Sequence, residues 1–164
     1  MNKTVTILGC GYLGTALAKH CIGKSWHVSA LTRNIETAKD LRSLGVSKVI
    51  EAQLQDDDWH SQLDPNQDFV INCVGASSPD NQGYISSYID GQDSVMKWLE
   101  KGSVSSFVFT SSISVYPQTQ KRFVDETSSC SGVPPKGGLL LASEQKCFPP
   151  VSSVKRSFIL RLGG

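Results

Sequence analysis

Three glycines near the start of the chain, Gly9, Gly11 and Gly14 in the stretch ILGCGYLG, have the G-x-G-x-x-G spacing of a turn that holds a dinucleotide pyrophosphate. In such a turn Gly9 makes the tight bend, Gly11 lets the backbone approach the pyrophosphate, and Gly14 lets the next helix pack on its strand. The N–H groups at the helix start, those of Tyr12 and Leu13 among them, then face the phosphates. The motif informs only in context, and here the β-type run TVTILG precedes it while a helical pattern carrying Leu13, Leu17 and Cys21 follows. The same residues invite a second reading, because an apolar run ending Leu8-Gly9-Cys10 behind Lys3 has the form of a lipid-attachment site. A secretory leader needs an apolar core of about 7 to 15 residues. Between Lys3 and Gly9 stand only Val5, Ile7 and Leu8, with threonines between them, so the dinucleotide turn is the reading retained and Cys10 is a bystander.

A working dinucleotide site needs partners further along. An acid ending the second strand, about 20 positions on, would take the adenosine ribose hydroxyls of NAD. This chain has Thr32, Arg33 and Asn34 there, and no acid before Glu36. A guanidinium pairs with a 2′-phosphate and stacks on adenine, so Thr32 and Arg33 favour NADP over NAD. After the fourth apolar run, Val74, Gly75 and Ala76 put small residues where a cofactor would pass, and Thr110, Ser111 and Ser112 end the fifth run on the same edge. Their hydroxyls are candidate contacts to cofactor or substrate. The five cysteines, at 10, 21, 73, 130 and 147, show no C-x-x-C and no histidine at metal spacing, so no metal site is expected. Cys21 and Cys73 lie in apolar surroundings and read as small core residues in a protein of a reducing, cytoplasmic compartment.

The elements that must position these residues are legible as alternating β and helical patterns, the mark of a parallel sheet flanked by helices. Six strands are expected, beginning near residues 4, 27, 48, 68, 106 and 157, several of them apolar nearly throughout, as strands covered on both faces are. A helix over 35–44 has Asn34 as its cap, Ile35, Ala38 and Leu41 on one face, and Gly45 at its exit. A longer helix over 84–101 carries the stripe Ile85, Ile89, Met96 and Leu99, read as core, with Trp98 either core or interface and Gly102 as the stop. Gly91 inside it predicts close packing or a local break. Residues 113–137, with Pro117, Pro134 and Pro135, read as a long functional or mobile loop.

The whole chain bounds the answer further. At 164 residues it is one domain, here a Rossmann-type doubly wound α/β unit in three layers. Sixteen Lys and Arg against 15 Asp and Glu leave a net charge of +1, which gives no footprint for nucleic acid or a membrane surface. No run approaches the roughly 18 apolar residues of a membrane span. A small-molecule partner is the easier fit.

Taken together, GCGYLG at 9–14, YIDG at 88–91, FVFTSSISVYP at 107–117, VDETS at 124–128, LLLASEQ at 139–145 and ILRLGG at 159–164 resemble the extended short-chain dehydrogenase/reductase family, with its nucleotide-sugar epimerases and dehydratases. The resemblance runs from end to end of the chain. It implies that Ser112 stands in the place of the family's catalytic serine or threonine, which hydrogen-bonds the substrate oxygen. That group's partner in the family is the tyrosine of a Y-x-x-x-K motif, whose lysine holds the nicotinamide ribose and tunes the tyrosine. The pair is absent here: aligning LASE with the segment after the family's lysine puts Lys136 at the tyrosine position and Leu140 at the lysine position. Tyr116 matches a family tyrosine that is not the acid/base, with Pro117 where glycine is usual, and Tyr88 replaces a common asparagine, where it is read as packing the helix.

Family members also continue past LRLGG into a smaller substrate-binding portion, so residues 1–164 look like the cofactor domain without it. The resemblance further implies pairing of two copies through the helices after the fourth and fifth strands. The resulting expectation is an atypical NAD(P)-dependent oxidoreductase or epimerase of the nucleotide-sugar class. A non-catalytic NADP(H)-binding sensor is the alternative that an intact glycine loop beside a degraded catalytic motif would fit.

Overall fold

The computed structural model describes residues 2–118, 122–148 and 150–163. Six parallel strands form one sheet in the order β3-β2-β1-β4-β5-β6: β1 Thr4–Leu8, β2 His27–Thr32, β3 Lys48–Glu51, β4 Asn66–Asn72, β5 Ser103–Ser112 and β6 Ser157–Leu162. This is the expected doubly wound α/β sheet, with the order reversing between β1 and β4. A parallel sheet needs a crossover at each return, and helices supply most of them: α1 Tyr12–Gly23, α2 Ile35–Ser43, α3 Asn81–Tyr84 running on into α4 Gly91–Leu99, and α5 Pro135–Lys146.

Alternation along β1 sends Val5 and Ile7 to one face and Leu8 to the other. On the first face Ala18 and Cys21 of α1 and Leu41 of α2 close a core over Val5, Ile7 and Val28. On the second, Val95, Trp98 and Leu99 of α4 and Cys147 just beyond α5 pack on Leu8, Val70, Phe107 and Phe109. Trp98 is therefore core. Cys21 is buried as expected, whereas Cys73 is only half-buried because it emerges at the carboxyl end of β4.

Local signals act as the sequence indicated in α2, where the Asn34 side chain accepts the Thr37 N–H at 2.9 Å and Gly45 leaves at φ +87°. Ile35, by contrast, the first residue of α2, is exposed, and only Ala38 and Leu41 of the expected face are buried. The expected helix over 84–101 differs more. It starts at Asn81, capped by Asp80, and passes through a π-helical segment, Ile85–Asp90, before α4 begins at Gly91. The wider π turn shifts the phase of the helix, so the predicted stripe is buried only in its C-terminal half. Leu99 is buried and half-buried Met96 packs on the core as expected, whereas Ile85 and Ile89 are only half-buried and Gln92, Val95 and Trp98 take the buried face. Gly91 shows both expected features, the break before it and a close approach, for a Cβ there would lie 3.0 Å from Leu54 Cδ2. The irregular segment ends sooner than expected, because Pro135 occupies the first turn of α5, where its missing N–H is harmless.

β6 closes the sheet on one side. Ile159 packs into the core and Arg161 reaches α5, but Phe158, Leu160 and Leu162 on the opposite face remain exposed, beyond the reach of α1 and α2.

Candidate functional site

The turn after β1 is built by contact as well as by backbone conformation. Gly9 sits at φ +86°, and a Cβ there would lie 2.6 Å from Val74 Cγ2 and 2.7 Å from the Val74 N, so any side chain would push the β4 loop away. Gly14, one turn into α1, packs its bare Cα onto the Gly9 carbonyl, where a Cβ could not fit. The two glycines thus clamp the loop between β1, β4 and α1. Gly11 is the N-cap position just before α1, no side chain caps the first turn, and no acid stands in it. Its N–H groups, those of Tyr12 and Leu13 included, are left for an anion.

The partner loop is held from beneath by two buried amides that sequence reading missed. The Asn72 Oδ1 accepts the Val74 N–H at 3.1 Å, curling the chain toward Gly9, while its Nδ2 donates to Gln92 Oε1 at 2.9 Å. Gln92 is fully buried and its own amide donates to Cys147 Sγ at 3.5 Å. An asparagine ending an apolar strand and a glutamine on an otherwise apolar helix face were the only traces of this pair in the sequence.

Between the two loops lies a cleft of about 360 Å³ at the carboxyl ends of the strands, where the strand order reverses. Gly9, Gly11, Thr32, Arg33, Val74 and Gly75 all line it, together with Gln53–Gln55 beyond β3. Arg33 is the one side chain charged at neutral pH among the lining residues, and no carboxylate stands among them. Thr32 accepts the Asn34 N–H on its hydroxyl at 3.2 Å, fixing the backbone at the base of Arg33.

Cys10 and Cys73 also line the cleft as quiet thiols. Burial, together with the neighbouring Cys73, pushes Cys10 up to about 12, and burial pushes Cys73 up to about 11, so neither is a thiolate at neutral pH. Cys10 is buried in the core beside β1. Among the described residues no group of His, Cys, Asp and Glu could hold a metal ion.

Tyr12, Leu13 and Gly14 are not among the residues lining the cleft, the Tyr12 side chain standing exposed, and the two serines ending β5 stand one strand away from β4. Alternation turns Ser111 toward α5, where its hydroxyl donates to the buried Glu144 Oε1 at 2.6 Å. That hydroxyl is therefore engaged inside the protein and not at the cleft. Glu144 is also gripped by Arg161 of β6, Nη2 to Oε2 at 2.7 Å, and Arg161 Nη1 donates to the Tyr116 hydroxyl at 2.8 Å. The Tyr116 hydroxyl in turn donates to the Asp125 carbonyl at 2.8 Å, so one ion pair ties Tyr116 and Asp125 to the sheet. Ser112 points the other way and accepts the Ser114 N–H at 3.1 Å, capping the short turn Ile113–Val115. Tyr88 packs edge-on to Phe109 as expected, and Lys136 lies over the Tyr84 ring at 5.4 Å.

A search of curated proteins finds no match. Among solved structures, the chain superposes on UDP-glucuronic acid 4-epimerase of Bacillus cereus, in complex with UDP-glucuronic acid and NAD, with a TM-score of 0.77 at 19% identity, covering 96% of this chain and 55% of that one. A protein of Methylobacillus flagellatus assigned to the NAD-dependent epimerase/dehydratase class matches at 0.76 and 23% identity, covering 100% and 55%. UDP-glucose-4-epimerase of Stenotrophomonas maltophila, with bound NAD and formylated UDP-arabinopyranose, matches at 0.74 and 21%, covering 88% and 47%. The chain spans about half the length of these structures, and at such identities they establish the fold. The family model described as the NAD dependent epimerase/dehydratase family matches residues 5–137, the span holding the glycine turn, the cleft and both serines. The chain belongs to the NAD-dependent epimerase/dehydratase family.

Proposed function

We propose that this protein binds a nicotinamide dinucleotide in the cleft between β1 and β4, NADP in preference to NAD, and takes part in oxidoreductase or epimerase chemistry on a small molecule of the nucleotide-sugar class. The residues fit the cofactor. The Gly9–Gly14 clamp leaves a cradle that a single Cβ would fill, and the uncapped start of α1, with Gly11, Tyr12 and Leu13, offers N–H donors to a pyrophosphate. Thr32 and Arg33 would hold the adenosine end, and Val74 and Gly75 would flank the path toward the nicotinamide. When bound, the nicotinamide supplies hydride acceptance and donation. Ser112 is the residue we assign to polarise the substrate oxygen, once its hydroxyl exchanges the Ser114 N–H for substrate. A group other than the Tyr-Lys pair moves the proton.

The observation that carries the NADP preference is the cleft's charge: one guanidinium and no carboxylate where NAD recognition calls for an acid. The B. cereus and S. maltophila structures hold NAD, so the preference rests on this chain's own residues. The family match favours the enzymatic reading over a non-catalytic sensor.

Calorimetric titration of the chain with NADPH and then NADH tests the reading. NADPH binding about tenfold or more tighter than NADH is expected, since a charge-assisted pair to phosphate is worth at least about 1.4 kcal/mol. NADH binding as tightly or more tightly overturns the preference, and failure of the folded chain to bind either overturns the cofactor assignment. Turnover is then sought with UDP-sugars in the presence of the tighter nucleotide.

A further inference from the structure

Arg33 does more than line the cleft. Its Nη2 donates to the Ser77 carbonyl at 3.2 Å, and the two residues are 44 positions apart on opposite walls, Arg33 at the end of β2 and Ser77 in the loop after β4. The side chain therefore spans the opening at the end where Thr32, Asn34 and Gln53–Gln55 form the other wall. The acceptor is anchored. The Ser77 N–H donates to the buried Ser87 hydroxyl at 2.9 Å, and the Ser77 hydroxyl donates to the Gly83 carbonyl at 3.3 Å. The backbone under Arg33 is equally fixed, by Thr32 below and by Asn34 as the cap of α2. Only the exposed Arg33 side chain is free to move, and it is in no ion pair among the described residues.

We propose that Arg33 is a latch across the cleft, and that it sets nucleotide specificity by exclusion as well as by attraction. This rests on the reading that the cleft takes NAD(P). With no ligand the guanidinium bridges to a neutral carbonyl. A dinucleotide carrying a 2′-phosphate replaces that single acceptor with a dianion that can take two charge-assisted hydrogen bonds, so opening the latch is compensated. A dinucleotide with only ribose hydroxyls must break the same bridge with no comparable return. An exposed hydrogen bond of this kind favours the closed form by about 3- to 10-fold, and NADH binding is weakened by that factor. Selection against the wrong partner is thus built into the empty site.

The test is stopped-flow association and equilibrium titration of NADPH and NADH with the full chain, with Arg33→Ala and with Ser87→Ala. Arg33→Ala is expected to lower NADPH affinity about 10- to 100-fold and to raise the NADH association rate and affinity about 3- to 10-fold. Ser87→Ala removes one of the two anchors of Ser77 and leaves the guanidinium in place, so NADH association should also quicken while NADPH stays the tighter ligand. NADH kinetics unmoved in both variants overturn the latch and leave the cofactor reading standing. If the wild-type chain binds neither nucleotide, the cofactor reading itself falls, and the latch with it.

Discussion

Gly9 is the residue on which the site most depends, because two independent restrictions meet there. At φ +86° an L side chain is strained by roughly 1–2 kcal/mol, and its Cβ would also collide with Val74. We expect Gly9→Ala to lower stability by about 2–4 kcal/mol in a denaturant titration, the overpacking adding to the strain. The variant should also lose NADPH binding under conditions where it is still folded. A loss of binding with stability unchanged would mean that the β4 loop gives way instead. The glycines and Arg33 were legible from spacing alone, because backbone conformation and net charge are properties of one position and its near neighbours. Asn72, Gln92 and the orientation of Ser111 were not. Each depends on a partner 20 or 33 residues away, so a buried amide pair and a buried serine–carboxylate bond look in sequence like isolated polar residues.

At the scale of elements, the segment between β3 and β4 shows how a cleft wall is clamped to a helix. Trp59 Nε1 donates to the Leu54 carbonyl at 3.1 Å, directly behind the wall formed by Gln53–Gln55. Buried His60 completes the clamp. Its Nε2 lies 2.9 Å from Ser94 Oγ of α4, whose hydroxyl donates to Asp57, and its Nδ1 lies 2.9 Å from Lys101 Nζ. With an ammonium donating to Nδ1, the ring is the neutral Nε2–H tautomer. Burial, and then the neighbouring Lys101, hold His60 below its ordinary 6.5, outweighing Asp57. The unfolded chain therefore takes up this proton more readily, and stability falls as pH drops from 6.5 toward the depressed folded value; above 6.5 it is fully present. Urea unfolding should show this loss in the wild type and a shallower one in His60→Gln, and equal slopes in the two would refute it. Strand positions and the α2 cap were readable because alternation and capping are local. The π segment was not, since one extra residue in a helical turn leaves no mark on composition, yet it rotated the buried face from Ile85 and Ile89 to Gln92 and Val95.

Across the whole molecule, the sheet consists of two three-stranded halves, β1–β3 and β4–β6, joined by the single ladder between β1 and β4. No described helix is long and apolar enough to cross a membrane. The doubly wound class was readable from alternating patterns, whereas the exposed row Phe158, Leu160 and Leu162 on β6 was not, because an apolar strand reads alike whether one face or both are covered. The β1–β4 ladder has a consequence for the order in which the protein assembles. It joins residues such as Val5 and Phe69, 64 positions apart, so its closure carries a larger loop entropy than the β1–β2 pairing and should come late in folding. The cleft does not exist until that seam closes. A dinucleotide can then act only on the finished molecule. At about 100 times its dissociation constant NADPH should slow unfolding by roughly 100-fold and leave the refolding rate unchanged. Faster refolding with nucleotide present would place the seam among the first contacts made.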